Sequence, residues 1–446
     1  MDKLEFQKLL TEEIIILDGA TGSNLQKRGM PVGACPELWI MEHRNVLSDL
    51  QQEYAAAGSN IVYAPTFSAN SIKLKDYDLE KRTKELNQTL VEISKEAVKG
   101  KAFVAGDVTM TGALLEPMGD LTFDELVEVY REQISCLSDA GVDLLVVETM
   151  LSLQETRAAV IAAREVCDLP VMATLSFGIN GKTMYGVSAG SAAAVLQGLG
   201  VDAVGMNCSS GPDRMLDVLE EMKKVALIPV IVKPNAGMPK LDAQGHTVYD
   251  MEAEEFSVHM EKMAASGAGL VGGCCGTSPE YIKAVKEKIA AKKPIQPMKT
   301  EQIVLASERE VYVFKPGQSL QIGREIDFSN NIELVEEYKE DMYDTALDLA
   351  FEMEAEDIIC ISAKHYDVNE KKALLDVLSE VTRSVNKPCM ISTDDPDTVS
   401  YVLRNFSGII AIELNHNLKE WETKIKSIAK SYGAPVVTID KKIIYC

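Results

Sequence analysis

The stretch VDLLVVETMLSLQETRAAVIAAREVCDLPVMATL (142–175) carries the pattern on which the fold turns. Two continuous apolar runs, VDLLVV (142–147) and PVMATL (170–175), flank LQETRAAVIAAREV (153–166), whose apolar residues recur at helical spacing. A strand buried on both faces reads as an unbroken apolar run, and such strands joined by helices build a parallel sheet. The unit repeats in both directions. IIIL (14–17), NIVYA (60–64) and AFVAG (102–106) precede it, and VDAVGM (201–206), PVIV (229–232) and GLVGG (269–273) follow it. Eight strands alternating with helical patterns predict an α/β fold, a closed (β/α)8 TIM barrel over residues 1–293. A doubly wound open sheet is the alternative.

In such a barrel, chemistry belongs where strands run into the following loops. Asp18, Asp107, Glu148, Cys208, Asn235 and the adjacent pair Cys274 and Cys275 all fall there. The cysteines in GMNCSSGP (205–212) and GGCCGTSP (272–279) each close an apolar run and open a loop of small residues. Adjacent cysteines rarely pair with each other, because the small ring strains the peptide between them. Three thiolates at strand ends suit a Zn²⁺ site with one position left open, and an open position implies chemistry on a substrate thiol. A structural trio of buried cysteines and a redox vicinal pair are the alternatives. Gly272, Gly273 and Gly276 are expected to let the backbone turn tightly enough for both sulfurs to point inward. Cys136, Cys167, Cys360 and Cys389 read as core residues. His43, His246 and His259 read as loop or helix-surface residues, so no histidine base is expected.

KKPIQPMKTEQ (292–302) reads as a linker. Together with two short strand-like runs, IVLAS (303–307) and EVYVF (310–314), it makes residues 294–318 a connecting segment. Residues 319–446 repeat the strand–helix rhythm with five strands, too few for a barrel. This predicts a half-barrel or small open sheet, with an apolar edge that a homodimer could cover.

The net charge of −23 argues against nucleic acid, since phosphate contacts need a basic surface. Acidity is densest in the C-terminal third; the plain reading is solubility, the sharper one a docking face for a basic partner. No apolar run is long enough for a membrane span. The N-terminus lacks the basic start and apolar stretch of a signal peptide, and nine cysteines lying mostly in apolar runs fit a reducing cytoplasm.

DGATG (18–22), the Glu148–Thr149 pair, GMNCSSGP, KPNAG (233–237) and GGCCGTSP resemble the homocysteine S-methyltransferase family. The likeness is in particular to the N-terminal homocysteine module of the cobalamin-dependent methionine synthases. It implies a zinc-dependent transfer of a methyl group to homocysteine, forming methionine. It places the substrate carboxylate on backbone N–H groups near Ala20 and Thr21 and the ammonium on Glu148 and Asp107. Asp18 would contact substrate or orient the turn, and Asn235 would be a weak zinc ligand when no thiol is bound. The donor it implies is methylcobalamin or another methylcorrinoid carried in trans by a separate protein. S-methylmethionine, a betaine, another thiol acceptor and a non-catalytic homocysteine-binding scaffold remain as alternatives. Residues from IVLASEREVYVF onward resemble the first half of a pterin-binding (folate) barrel. That half departs from its pattern at Asp327, Ser392 and Glu413, which implies that several pterin contacts are missing.

Overall fold

A computed structural model describes residues 1–241, 247–297, 301–414 and 419–445. The chain divides into two compact units: residues 1–189 with 201–298, and residues 299–446 with 190–200.

The first unit is built on eight parallel strands: β1 (Ile15–Ile16), β2 (Ile61–Tyr63), β3 (Phe103–Val108), β4 (Leu144–Met150), β5 (Val171–Leu175), β6 (Ala203–Asn207), β7 (Val230–Lys233) and β8 (Ala268–Val271). Each strand from β2 to β8 pairs with its neighbour in sequence, and β8 pairs with β1. A parallel bridge between Leu17 and Ile61 joins β1 to β2 and closes the ring. The barrel reading therefore holds and the open sheet does not. Alternate strand residues fill the interior, among them Ile15, Ile61, Ala105, Val146, Met172 and Leu270. Phe6 and Leu10, from the N-terminal helix Lys3–Glu12, complete that cluster. The centre is thus a packed core and not a pore.

Helix boundaries follow local chemistry. In helix Phe123–Asp139, Thr122 accepts from the Glu125 N–H, and Glu125 accepts from the Thr122 N–H in return. This reciprocal cap satisfies two amides that the first turn leaves without acceptors. Ser152 caps helix Leu153–Val166 by accepting from the Glu155 N–H. The latter is the helix expected between the two quoted apolar runs.

The second unit opens with an antiparallel pair, β9 (Ile303–Ala306) and β10 (Val311–Phe314). Its main sheet holds β11 (Ile322–Asp327), β12 (Ile358–Ser362), β13 (Cys389–Ile391), β14 (Ala411–Glu413), β15 (Val436–Val437) and β16 (Ile443–Ile444) in sequential order. The first five are parallel, and β16 runs antiparallel to β15. Five strands were expected, so β16 is a correction. One edge of the expected five-strand sheet is covered. Gly317 N–H donates to the Ile443 carbonyl at 2.8 Å, Leu320 N–H to Lys441 at 2.9 Å, and Ile443 N–H to Gln318 at 3.2 Å. The last strand therefore ties back to the segment that leads into the first. The chain itself thus covers the β15 side of the sheet, while β11 stands at the other end of the strand order. No helix among the described residues is long and apolar enough to cross a membrane.

Candidate functional site

Two rim turns bring the cysteines together. After β6, Cys208 and Ser209 both adopt left-handed backbone angles, with φ of 61° and 60°. Residues with a Cβ populate that region sparsely, at a cost of about 1–3 kcal/mol each, and such strain gathers at functional sites. The turn is held by the Cys208 N–H, which donates to the Lys233 carbonyl at 3.2 Å. The turn after β8 is stitched to two neighbours. Gly273 N–H donates to the Asp18 carbonyl (3.0 Å) and Cys274 N–H to Pro234 (2.7 Å), while the Cys275 carbonyl accepts from Ala236 N–H (2.9 Å).

The Sγ atoms of Cys208, Cys274 and Cys275 consequently lie within 4.8 Å of one another. Tetrahedral zinc with Zn–S of about 2.3 Å sets its sulfurs about 3.8 Å apart, so the trio fits one ion with a fourth position left over. All three are free thiols of intermediate burial. The neighbouring Cys274 sulfur, and then burial, push the Cys208 thiol up to about 12. Cys275 is raised beside Cys208. Cys274 also rises, because Cys275 and burial outweigh the lowering by Cys208. Crowded thiols of this kind ionise only against a cation.

Two of the three glycines serve a different purpose from the one expected. Only Gly276 uses a left-handed angle (φ 83°). A Cβ on Gly272 would lie 2.7 Å from Leu17 Cβ, and one on Gly273 would lie 2.5 Å from Thr277 Oγ1. These two permit close approach to β1 and to Thr277 rather than a tight turn.

Beside the sulfurs sits a buried acidic pocket. Asp18, Asp107 and Glu148 are all under 10 % exposed. Lys233 Nζ lies 3.4 Å from Asp18 Oδ1 and 4.0 Å from Glu148 Oε2. It also stands 4.5 Å above the Tyr63 ring centroid. Burial raises the pKa of Asp18 and Glu148. It raises Asp107 well above the usual carboxylate range, with Glu148 adding to the effect. Lys233 is held well above its ordinary value, because Glu148 and Asp18 outweigh the lowering by burial. Asp107 Oδ1, Tyr63 Oη and Asn235 Oδ1 are buried with no hydrogen-bond partner. Unpaired polar atoms buried together mark a place where a ligand is expected.

Asp18 is already committed to the protein: its Oδ2 accepts from the Tyr63 N–H at 2.8 Å, and its other oxygen faces Lys233. Of the two amides expected to meet a carboxylate, that of Ala20 donates instead to Thr277 Oγ1 at 3.1 Å. Thr21 precedes helix Gly22–Lys27, whose first-turn N–H groups have no acceptor within the helix. Asn235 follows β7, with its N–H on the Ser210 carbonyl at 3.0 Å.

Lys233 and Asn207 were not singled out in the sequence. A lysine closing the apolar run PVIV was the available signal for the first. Asn207 is fully buried at the end of β6. Its Oδ1 accepts from the Thr149 N–H (2.9 Å) and from Thr174 Oγ1 (2.8 Å). Its Nδ2 donates to Thr149 Oγ1 at 2.7 Å, and reaches Glu148 Oε2 at 3.3 Å and Cys274 Sγ at 3.9 Å. It thereby braces Thr149, another left-handed residue (φ 59°), and touches both halves of the site. Tyr249 contacts Cys275 as well.

His43 bonds the Trp39 carbonyl at 2.9 Å, and His259 lies in helix Ala253–Ala265, so neither joins the site. His246 lies outside the described residues. Cys136, Cys360 and Cys389 are buried and Cys167 is intermediate. In the second unit Arg324 pairs with Glu413, and Asp327 accepts from Ser329 and Asn330. Ser392 in turn bonds Glu413, so all three positions singled out as departing from the pterin-barrel pattern have their own partners.

A closed (β/α)8 barrel that gathers three thiols and a buried acidic pocket on one rim defines a class, that of barrel enzymes suited to metal–thiolate chemistry. Within that class the sequence narrows the choice. The chain belongs to the homocysteine S-methyltransferase family, whose model matches residues 15–289. The methionine synthase of Mycobacterium tuberculosis is 27% identical over 466 residues, covering 97% of this chain and 39% of that protein. The methionine synthase of Mycobacterium leprae is 31% identical over 299 residues, covering 63% of this chain and 25% of its own length. The chain thus spans well under half the length of these relatives. Among solved structures, the metallated form of the homocysteine methyltransferase MmuM from Escherichia coli matches with a TM-score of 0.55 at 22% identity. That match covers 64% of this chain and all of the other, and shows a shared fold.

Proposed function

We propose that the first unit is a zinc-dependent barrel that methylates the thiol of homocysteine to give methionine. The observation that carries this is the convergence of the Cys208, Cys274 and Cys275 sulfurs from two separate rim turns. Zinc in that trio supplies a Lewis acid that keeps a substrate thiol deprotonated and nucleophilic at neutral pH. The remaining work falls to the chain. Glu148 and the unpaired Asp107 Oδ1 accept from the substrate ammonium. The amide of Thr21, at the start of helix Gly22–Lys27, faces the carboxylate. Asn207 holds Glu148 and Cys274 in register, so that amino-acid recognition and thiol placement share one support.

For the donor we favour a methylcorrinoid carried outside these 446 residues. Support comes from the likeness to methionine synthases, which runs along 97% of this chain. A cytoplasmic setting fits the free cysteines. The test is to load the protein with Zn²⁺, add homocysteine, and supply methylcobalamin, S-methylmethionine or betaine separately. Methionine from methylcobalamin alone supports the proposal. Methionine from S-methylmethionine or betaine without any corrinoid contradicts the donor, and none from any donor contradicts the activity.

A further inference from the structure

Lys233 closes β7, next to Asn207 in the sheet register, and its carbonyl holds the Cys208 turn. Its side chain is 4% exposed and reaches two of the three carboxylates of the pocket, Asp18 at 3.4 Å and Glu148 at 4.0 Å. The Tyr63 ring walls it from a further side, 4.5 Å from the ammonium. A lysine needed only to neutralise Asp18 would have no reason to share itself with Glu148. Placed between them, it puts a fixed cation inside the pocket that recognises the substrate's own cation. The pocket therefore keeps a counter-charge whether or not the incoming thiol carries an ammonium. Asp107 Oδ1, buried without a hydrogen-bond partner, is left for that ammonium.

We propose that Lys233 is a specificity-determining residue: its ammonium substitutes in part for the substrate's, so the site admits thiol carboxylates that lack an α-amino group as well as homocysteine. This rests on the reading of the barrel as a homocysteine site. Lys233 acts through Asp18 and Glu148 and takes no part in the reaction itself. At about 4 Å, one unit charge in a partly screened interior interacts strongly enough to change a binding constant by tenfold or more.

The test compares homocysteine with 4-mercaptobutanoate, its des-amino analogue, by calorimetric titration into the zinc-loaded protein. In the wild type, 4-mercaptobutanoate is expected to bind within about tenfold of homocysteine. A larger gap overturns the proposal without any variant. Lys233→Met removes the cation and keeps the stem. It should raise the homocysteine preference by at least about tenfold, chiefly by weakening 4-mercaptobutanoate. Lys233→Arg keeps the charge and should restore a ratio near that of the wild type. An unchanged ratio in Lys233→Met, or an equal shift in Lys233→Arg, overturns the proposal while leaving the homocysteine reading intact. Failure of both thiols to bind the wild type overturns that reading, and this proposal with it.

Discussion

Thr277 offers a direct probe of how the two halves of the site are joined. It is fully buried. Its Oγ1 donates to the Cys274 carbonyl at 2.7 Å and accepts from the Ala20 N–H at 3.1 Å. Thr277→Val keeps the shape and removes both bonds. The Ala20 amide is then left buried and unpaired, at about 1–3 kcal/mol, while the Cys274 carbonyl loses one bond of about 1 kcal/mol but keeps the Thr277 N–H at 3.2 Å. Burying a methyl in place of a hydroxyl returns about 1 kcal/mol. The net loss is about 1–3 kcal/mol, which for a unit of this size lowers the melting temperature by roughly 2–12 °C. Disturbing the support of a metal-ligand turn should also weaken zinc binding by about ten- to a hundredfold. Calorimetric melting and competition against a chromophoric zinc chelator read the two effects. Thr277→Ser retains the hydroxyl, and should lose only the smaller packing contribution and bind zinc normally. The reasoning is refuted if Thr277→Val melts with the wild type, or if Thr277→Ser falls as far as Thr277→Val.

Glu148→Gln should raise the dissociation constant for homocysteine by about ten- to a hundredfold while leaving zinc content unchanged, as calorimetry and metal analysis would show. Asp107 gives a pH signature. Burial and Glu148 raise its pKa in the fold, so its contribution to stability is complete only below the ordinary carboxyl range and is lost as pH rises towards the raised value. Asp107→Asn should therefore gain on the wild type as pH rises from about 4, by up to about 1.4 kcal/mol per unit, measured as melting temperature against pH. Arg324→Met leaves Glu413 without its partner and should cost the second unit about 1 kcal/mol in denaturant unfolding, with homocysteine binding unaffected.

The eight barrel strands were legible because burial on both faces leaves unbroken apolar runs, and their ends pointed to Cys208, Cys274, Cys275, Asp107 and Glu148. Features that depend on distant partners were not legible. The Ala20 amide is taken by a hydroxyl 257 positions away, so DGATG read as an open turn. Lys233 reads in sequence as the charge that ends a strand, and only the closed ring shows it facing Asp18 and Glu148. Gly272 and Gly273 looked like turn residues because the nearness of Leu17 and Thr277 is a property of the barrel. In the second unit, KKIIYC gave too short an apolar pair to read as a strand, yet Ile443–Ile444 completes the sheet.

The central claim is that three cysteines hold one zinc ion and leave one position for the substrate thiol. Zinc K-edge absorption spectroscopy of the zinc-loaded protein, before and after homocysteine, tests it most directly. The account predicts three sulfur scatterers at about 2.3 Å with one lighter atom, becoming four sulfurs once homocysteine is added. A sulfur count that does not change with homocysteine, or a protein that takes up no zinc, would contradict it.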